Sequence, residues 1–150
     1  MIMNIFESNN SGRLQGKNPD AVKRNEGAVD LQPGILCVDY LNGSLRNILY
    51  RSKVTDYGRY FDFVFNYINV GGYWEIDIAR FPDYRGRSTS AYIIHTLPSD
   101  RGGRKICVAT GHEPRTERDA KKLSMSWADL QAEYIKTGRT PDQQIQANHR

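Results

Sequence analysis

Between Tyr60 and Phe81 the chain reads YFDFVFNYINVGGYWEIDIARF, two alternating runs of aromatic and β-branched residues hinged on Gly71-Gly72. A period of two marks a strand with one buried face, and adjacent glycines supply the positive φ angles that two-residue hairpin turns require. With both glycines in the loop, Val70 faces Tyr73 and opposed residues have numbers summing to 143. That register places Tyr67 opposite Ile76 and Phe65 opposite Ile78, with Phe63 and Trp74 on the same face. Ile68/Glu75 and Asn66/Asp77 fall on the other face. A slip of one residue would set aromatic positions against acids and mix the faces, so turn chemistry and alternation agree on a single pairing. The ring-bearing face is the predicted core, each ring covering about 150 to 250 Å².

The same reading predicts further strands at Gly34 to Tyr40 and Leu45 to Lys53, joined by a two-residue Asn42-Gly43 turn. Two more fall at Ala91 to Leu97 and Arg104 to Thr110, around Pro98 to Gly103. The period then changes. Thr116 to Leu123 reads as a short polar helix. Ser126 with Asp129 three residues on reads as the cap of a second helix, which carries Trp127, Leu130, Tyr134 and Ile135 on one stripe and ends at Gly138. Thr140-Pro141-Asp142 starts a weak final turn. The fold class is α+β: a five- to six-stranded, mainly antiparallel β-meander with a C-terminal helix packed on one face.

Residues 1–33 are rich in Asn, Ser, Gly, Lys and Asp and read as a mobile arm, with one short helical turn near Asp20 to Arg24. Residues 34–138 form the single domain expected of a chain this long, and 139–150 a polar tail. At 150 residues a chain buries roughly 70% of its unfolded surface, enough to fold without disulfides or structural metal. The mean hydropathy of -0.65 and the lack of an apolar run of about 18 residues argue against a membrane span. The first residues lack the basic start and long apolar stretch of a secretion signal, so the expectation is a soluble cytoplasmic protein.

Net charge is only +4, but its distribution is uneven. From Ala79 to Lys122 there are ten Lys or Arg against five Asp or Glu. Arg80, Arg85, Arg87, Arg101, Arg104 and Lys105 fall at predicted connections that a meander can gather at one sheet end, with Tyr84 and Tyr92 close by in sequence. Guanidinium forks beside aromatic rings suit phosphate contact with base stacking. These residues, with Tyr84, make the expected function a small basic binding module for a polyanion, nucleic acid in preference to an acidic protein surface. No RNA- or DNA-binding motif is matched, so the signal is electrostatic. Arginines each tied to a carboxylate, or spread over opposite sides, would remove its basis.

Glu75 and Asp77 share a strand face with Asp62 near on the neighbouring strand, a set that could hold Mg²⁺. Alternation alone accounts for them as a solvated outer face. The cysteines, Cys37 and Cys107, lie in apolar runs and read as small buried hydrophobes. His95, His112 and His149 lack ligand spacing, so neither a metal nor another cofactor is expected. In a register summing to 202, His95 and Cys107 oppose each other on adjacent strands, an arrangement that can serve a thiolate nucleophile; a sum of 201 separates them.

The order Glu75-Ile76-Asp77-Ile78-Ala79-Arg80-Phe81-Pro82-Asp83-Tyr84, then His95, then Gly103-Arg104-Lys105-Ile106-Cys107-Val108, then a helix opening at Trp127, resembles the core of ubiquitin-conjugating enzymes and their bacterial relatives. In that family a strand enters an FPxxYP turn, an HPN motif follows, and a GxICL segment carries the thioester cysteine. The resemblance implies that Cys107 is an acceptor thiol with His95 near it, the alternative to polyanion binding. Arg85 stands where the family has its second proline, and Thr96-Leu97 where it has Pro-Asn. A third class, a protein-protein interaction or assembly protein, is favoured if exposed tyrosines form a patch beside a sheet edge.

Overall fold

The computed structural model of the protein describes residues 13–14, 37–39 and 43–148. The predicted arm over 1–33, apart from two residues, its helical turn near Asp20, the Cys37 side chain and His149 lie outside the described residues. The elements are β1 (Arg13–Leu14), β2 (Cys37–Asp39), β3 (Ser44–Asp56), β4 (Arg59–Asn69), β5 (Trp74–Arg80), α1 (Ala91–Ile94), β6 (Thr96–Pro98), β7 (Arg104–Ile106), α2 (Glu117–Thr137) and α3 (Pro141–Asn148). Five strands form an antiparallel sheet in the order β3-β4-β5-β7-β6, and the short β1 and β2 lie along the outer side of β3. The fold is α+β, with α2 packed across the sheet.

The double-glycine hairpin has the register that its sequence dictates. Phe65 pairs with Ile78, Asn66 with Asp77, Tyr67 with Ile76 and Ile68 with Glu75. Val70 N–H donates to Tyr73 O at 3.0 Å across the turn, where Gly71 and Gly72 have φ of 86° and 99°. One irregularity follows, because Val64 pairs with Arg80 and Ala79 is bulged out. Phe63, Phe65, Tyr67, Ile76 and Ile78 are buried beneath Leu123, Trp127, Ala128 and Ile135 of α2. Trp127 meets the rings of Phe63, Phe65 and Phe81 edge-on, at centroid distances of 5.6, 6.1 and 6.2 Å.

Four local expectations are corrected. First, β3 pairs Ser44 with Asp39, whereas a two-residue Asn42-Gly43 turn would set Ser44 against residue 41. Second, residues 91–94 are a helical turn, not the start of a strand, and pairing is confined to 96–98 and 104–106. The reason is tertiary: Ile94 O accepts hydrogen bonds from Trp127 Nε1 (2.9 Å) and Gln131 Nε2 (3.0 Å), which commit it to the helix face and not to a ladder.

Third, α2 is one helix of 21 residues with Thr116 as its cap, its side chain accepting from Asp119 N–H at 3.0 Å. The break expected at Ser126 is absent because Asp129 does not cap. It turns to β3, where its Oδ1 accepts from Tyr50 OH (2.9 Å) and Ser52 OH (2.6 Å). Burial holds the Asp129 carboxyl above its usual range, although these donors pull the other way. Gly138 ends α2 as expected, at φ 84° with its N–H on Tyr134 O. Fourth, the polar tail contains α3. Thr140 and Gln143 exchange hydrogen bonds in a capping box with Pro141 at the first helical position, and Gln144 Nε2 donates to Leu130 O and Arg139 O.

Candidate functional site

The face of β5 opposite the core carries Glu75 and Asp77, and the β6–β7 hairpin brings two cations onto it. Arg101 grips Asp77 with both ends of its fork, Nε to Oδ2 at 2.6 Å and Nη2 to Oδ1 at 2.9 Å, and its Nη2 also reaches Glu75 at 2.7 Å. Lys105 Nζ meets the other Glu75 oxygen at 2.6 Å, and Ser99 OH donates to Asp77 at 2.8 Å. Asp77 is only 5% exposed. What alternation reads as a solvated face is a closed network of two carboxylates and two cations that fastens the β6–β7 connection to β5. Burial works against the Glu75 charge, but Lys105 and Arg101 outweigh it and hold the carboxyl below its usual range.

A pH dependence follows with a definite sign. Because the folded state depresses the Glu75 pKa, this group's contribution is present above its ordinary value of 4.5 and is lost as pH falls through the lower, folded value. Glu75→Gln is therefore expected to flatten the acid side of a plot of urea midpoint against pH while leaving the neutral side sloped as in the parent. Equal slopes below pH 4.5 in both chains would contradict this assignment.

The remaining predicted contact residues are dispersed. Arg85 Nη1 pairs with Asp56 at 2.6 Å at the β3–β4 end of the sheet. Asp56 pairs with Arg59 and Glu75 with Ile68, so the Arg85 and Arg101 anchors are separated by nine residues of β4, roughly 30 Å of strand. Arg87 Nε donates to Ile135 O and its guanidinium lies under Gly138, while Arg104 Nη1 donates to Thr89 O. Arg80 is exposed at the end of β5. Tyr84, expected to stack on a base, is a core residue. Its OH donates to Gln131 Oε1 at 2.7 Å, and burial drives its pKa far up. Arg85 and Arg101 therefore sit toward opposite ends of β4 and do not share one cationic end.

His95 and Cys107 do come together through the backbone. Thr96 pairs with Ile106 and Leu97 with Lys105, which is the register summing to 202. The next step along the hairpin is Cys107 N–H donating to His95 O at 2.9 Å. His95 ends α1 in the left-handed region (φ 60°, ψ 58°), where an imidazole is better tolerated than most side chains. It is 1% exposed, with Nε2 at 2.7 Å from Asp142 Oδ1 in the first turn of α3. Cys107 is a half-buried free thiol. Its Sγ makes no hydrogen bond among the described residues.

The surrounding fold is built to hold His95 in place. Trp127, Gln131 and Tyr134 lie at helical spacing on α2 and donate to Ile94 O, Ile94 O and Ser88 O, so one helix stripe pins the whole connection that delivers the histidine. Asp142 is held by the Thr140 capping box. The sequence signal for it was the box itself, Thr140-Pro141-Asp142-Gln143, which marks a helix start with an acid in the first turn. Among the described residues no three His, Cys, Asp or Glu side chains could hold a metal ion. Nor is any described helix long and apolar enough to cross a membrane. Comparison with family models, with curated proteins and with solved structures finds no match.

Proposed function

We propose that the protein is a thiol carrier, taking an acyl group onto Cys107 as a thioester and passing it to a nucleophile supplied by a partner. The supporting observation is the Cys107–His95 backbone bond at the open end of the β6–β7 hairpin, which ties a half-buried thiol, without a hydrogen bond among the described residues, to the backbone of the residue whose buried ring meets Asp142. The reacting species is the thiolate, so a carrier needs a sulfur that solvent and the donor can reach. The Cys107 sulfur attacks the donor carbonyl, the donor's sulfur leaves, and the thiol proton follows the departing thiolate. His95 is a positioning residue here: its ring nitrogen on Asp142 fixes the backbone whose carbonyl holds Cys107. The order of elements, with β5 entering the Phe81-Pro82-Asp83-Tyr84 turn before His95, Cys107 and α2, is the order that the resemblance to ubiquitin-conjugating enzymes implies.

Polyanion binding through the predicted connections has less support, because Arg85, Arg101 and Lys105 spend their charge on Asp56, Asp77 and Glu75. The two readings separate by alkylation. With Cys37→Ser as background, Cys107 of the native chain is expected to react with iodoacetamide at a rate within about tenfold of the same chain in urea. His95→Gln should alter that native rate without altering the rate in urea. Labelling of Cys107 only on unfolding would make it a packing residue and end the carrier reading.

A further inference from the structure

The turn that joins β3 to β4 has a residue its folding does not call for. Asp56 and Arg59 close the hairpin, and Tyr57 and Gly58 are its two loop residues, with φ of 51° and 77°. Both loop positions of such a turn favour Asn, Asp or Gly, and a tyrosine there is strained. Nothing compensates within the described residues: Tyr57 is 100% exposed. A strained residue without contacts points from structure to a role outside the fold. Three further groups lie on the same end of the β3–β4 hairpin. Tyr60 is 57% exposed, and its ring has Arg51 at 4.1 Å over one face. Arg59 makes no ion pair among the described residues, and Lys53 feels only the longer-range pull of Asp129. The acids of this hairpin end, Asp56 and Asp62, are already paired with Arg85 and Arg51.

From these features we infer that the β3–β4 hairpin tip binds single-stranded nucleic acid, with Tyr57 and Tyr60 stacking on bases and Lys53 and Arg59 meeting phosphates. Each unpaired nucleotide brings one charge and one open π-face, the complement of paired rings and cations. A duplex hides its base faces, and an acidic peptide offers charge without them. The inference stands on other residues than the thiol reading and does not depend on it.

The probe is a fluorescein-labelled oligothymidylate followed by anisotropy, with a duplex of equal length, heparin and anionic phosphatidylserine vesicles as the other arms. Tight, salt-dependent binding of the oligonucleotide is expected. Lys53→Glu with Arg59→Glu should abolish it, and Arg118→Glu, an exposed cation elsewhere, should leave it unchanged. Tyr57→Asn is the informative variant, because it suits the turn. It should raise the melting temperature and yet weaken oligonucleotide binding about tenfold, the loss of one stacked base, while heparin binding stays the same. Unchanged oligonucleotide affinity in Tyr57→Asn, equal losses for heparin, or preference for the duplex or the vesicles would overturn the inference.

Discussion

Trp127→Ala is expected to cost about 3–5 kcal/mol, the range for emptying a fully buried large aromatic position, and so to bring a domain of this size close to unfolding at room temperature. Trp127 is fully buried, touches three aromatic rings and donates to Ile94 O. Trp127→Phe separates packing from hydrogen bonding. It keeps most of the ring contact, leaves Gln131 as the donor to Ile94 O, and should cost about 1–2 kcal/mol. Urea titration followed by far-UV circular dichroism measures both. Because Ile94 leads directly into His95, amide exchange at Cys107 should accelerate in Trp127→Phe more than exchange in the middle of β4. Uniform acceleration would mean that the helix stabilises the sheet without particular grip on the His95 connection.

Arg101→Leu should destabilise the protein by about 2–3 kcal/mol, well beyond the 0 to 1 kcal/mol typical of an exposed ion pair. The larger figure follows from what the substitution leaves behind: Asp77, nearly buried, keeps Ser99 OH but loses both fork contacts. Orphaning a buried charge costs about 3–5 kcal/mol, and the partial exposure of Arg101 reduces it. Adding Asp77→Asn should recover a large part of the loss, because the neutral amide tolerates the site without a cation. A melting temperature unmoved by Arg101→Leu would show a surface arginine whose charge is available to a ligand.

The hairpin at Gly71-Gly72 was legible because two independent signals, glycine turn chemistry and the alternation of rings with polar residues, select one register. Where a local signal competed with a contact from far along the chain, the distant contact decided. Ser126 and Asp129 carry a cap pattern, but Asp129 finds stronger donors on β3, a contact between residues far apart in sequence that local spacing does not encode. Ala91 to Ile94 has the composition of a strand, and two donors from α2 decide otherwise. The cations teach the same lesson at the site. Arg101, Lys105, Glu75 and Asp77 are all visible in the sequence, yet whether they neutralise one another depends on the β5–β7 pairing, which the sequence left open. The His95–Cys107 opposition was visible as one of two registers, whereas Asp142 lay in a stretch whose polar composition masks its capping box.

Thioester exchange at Cys107 is the most direct measurement. The Cys37→Ser chain, incubated at neutral pH with a small acyl thioester, is expected to gain one acyl group on Cys107, removable by hydroxylamine and by excess free thiol. The folded chain should acquire it at least as fast as the same chain in urea, and His95→Gln should slow it only in the folded state. Acylation more than about tenfold slower in the folded chain than in urea, or an acyl group found on residues other than Cys107, would contradict the carrier reading.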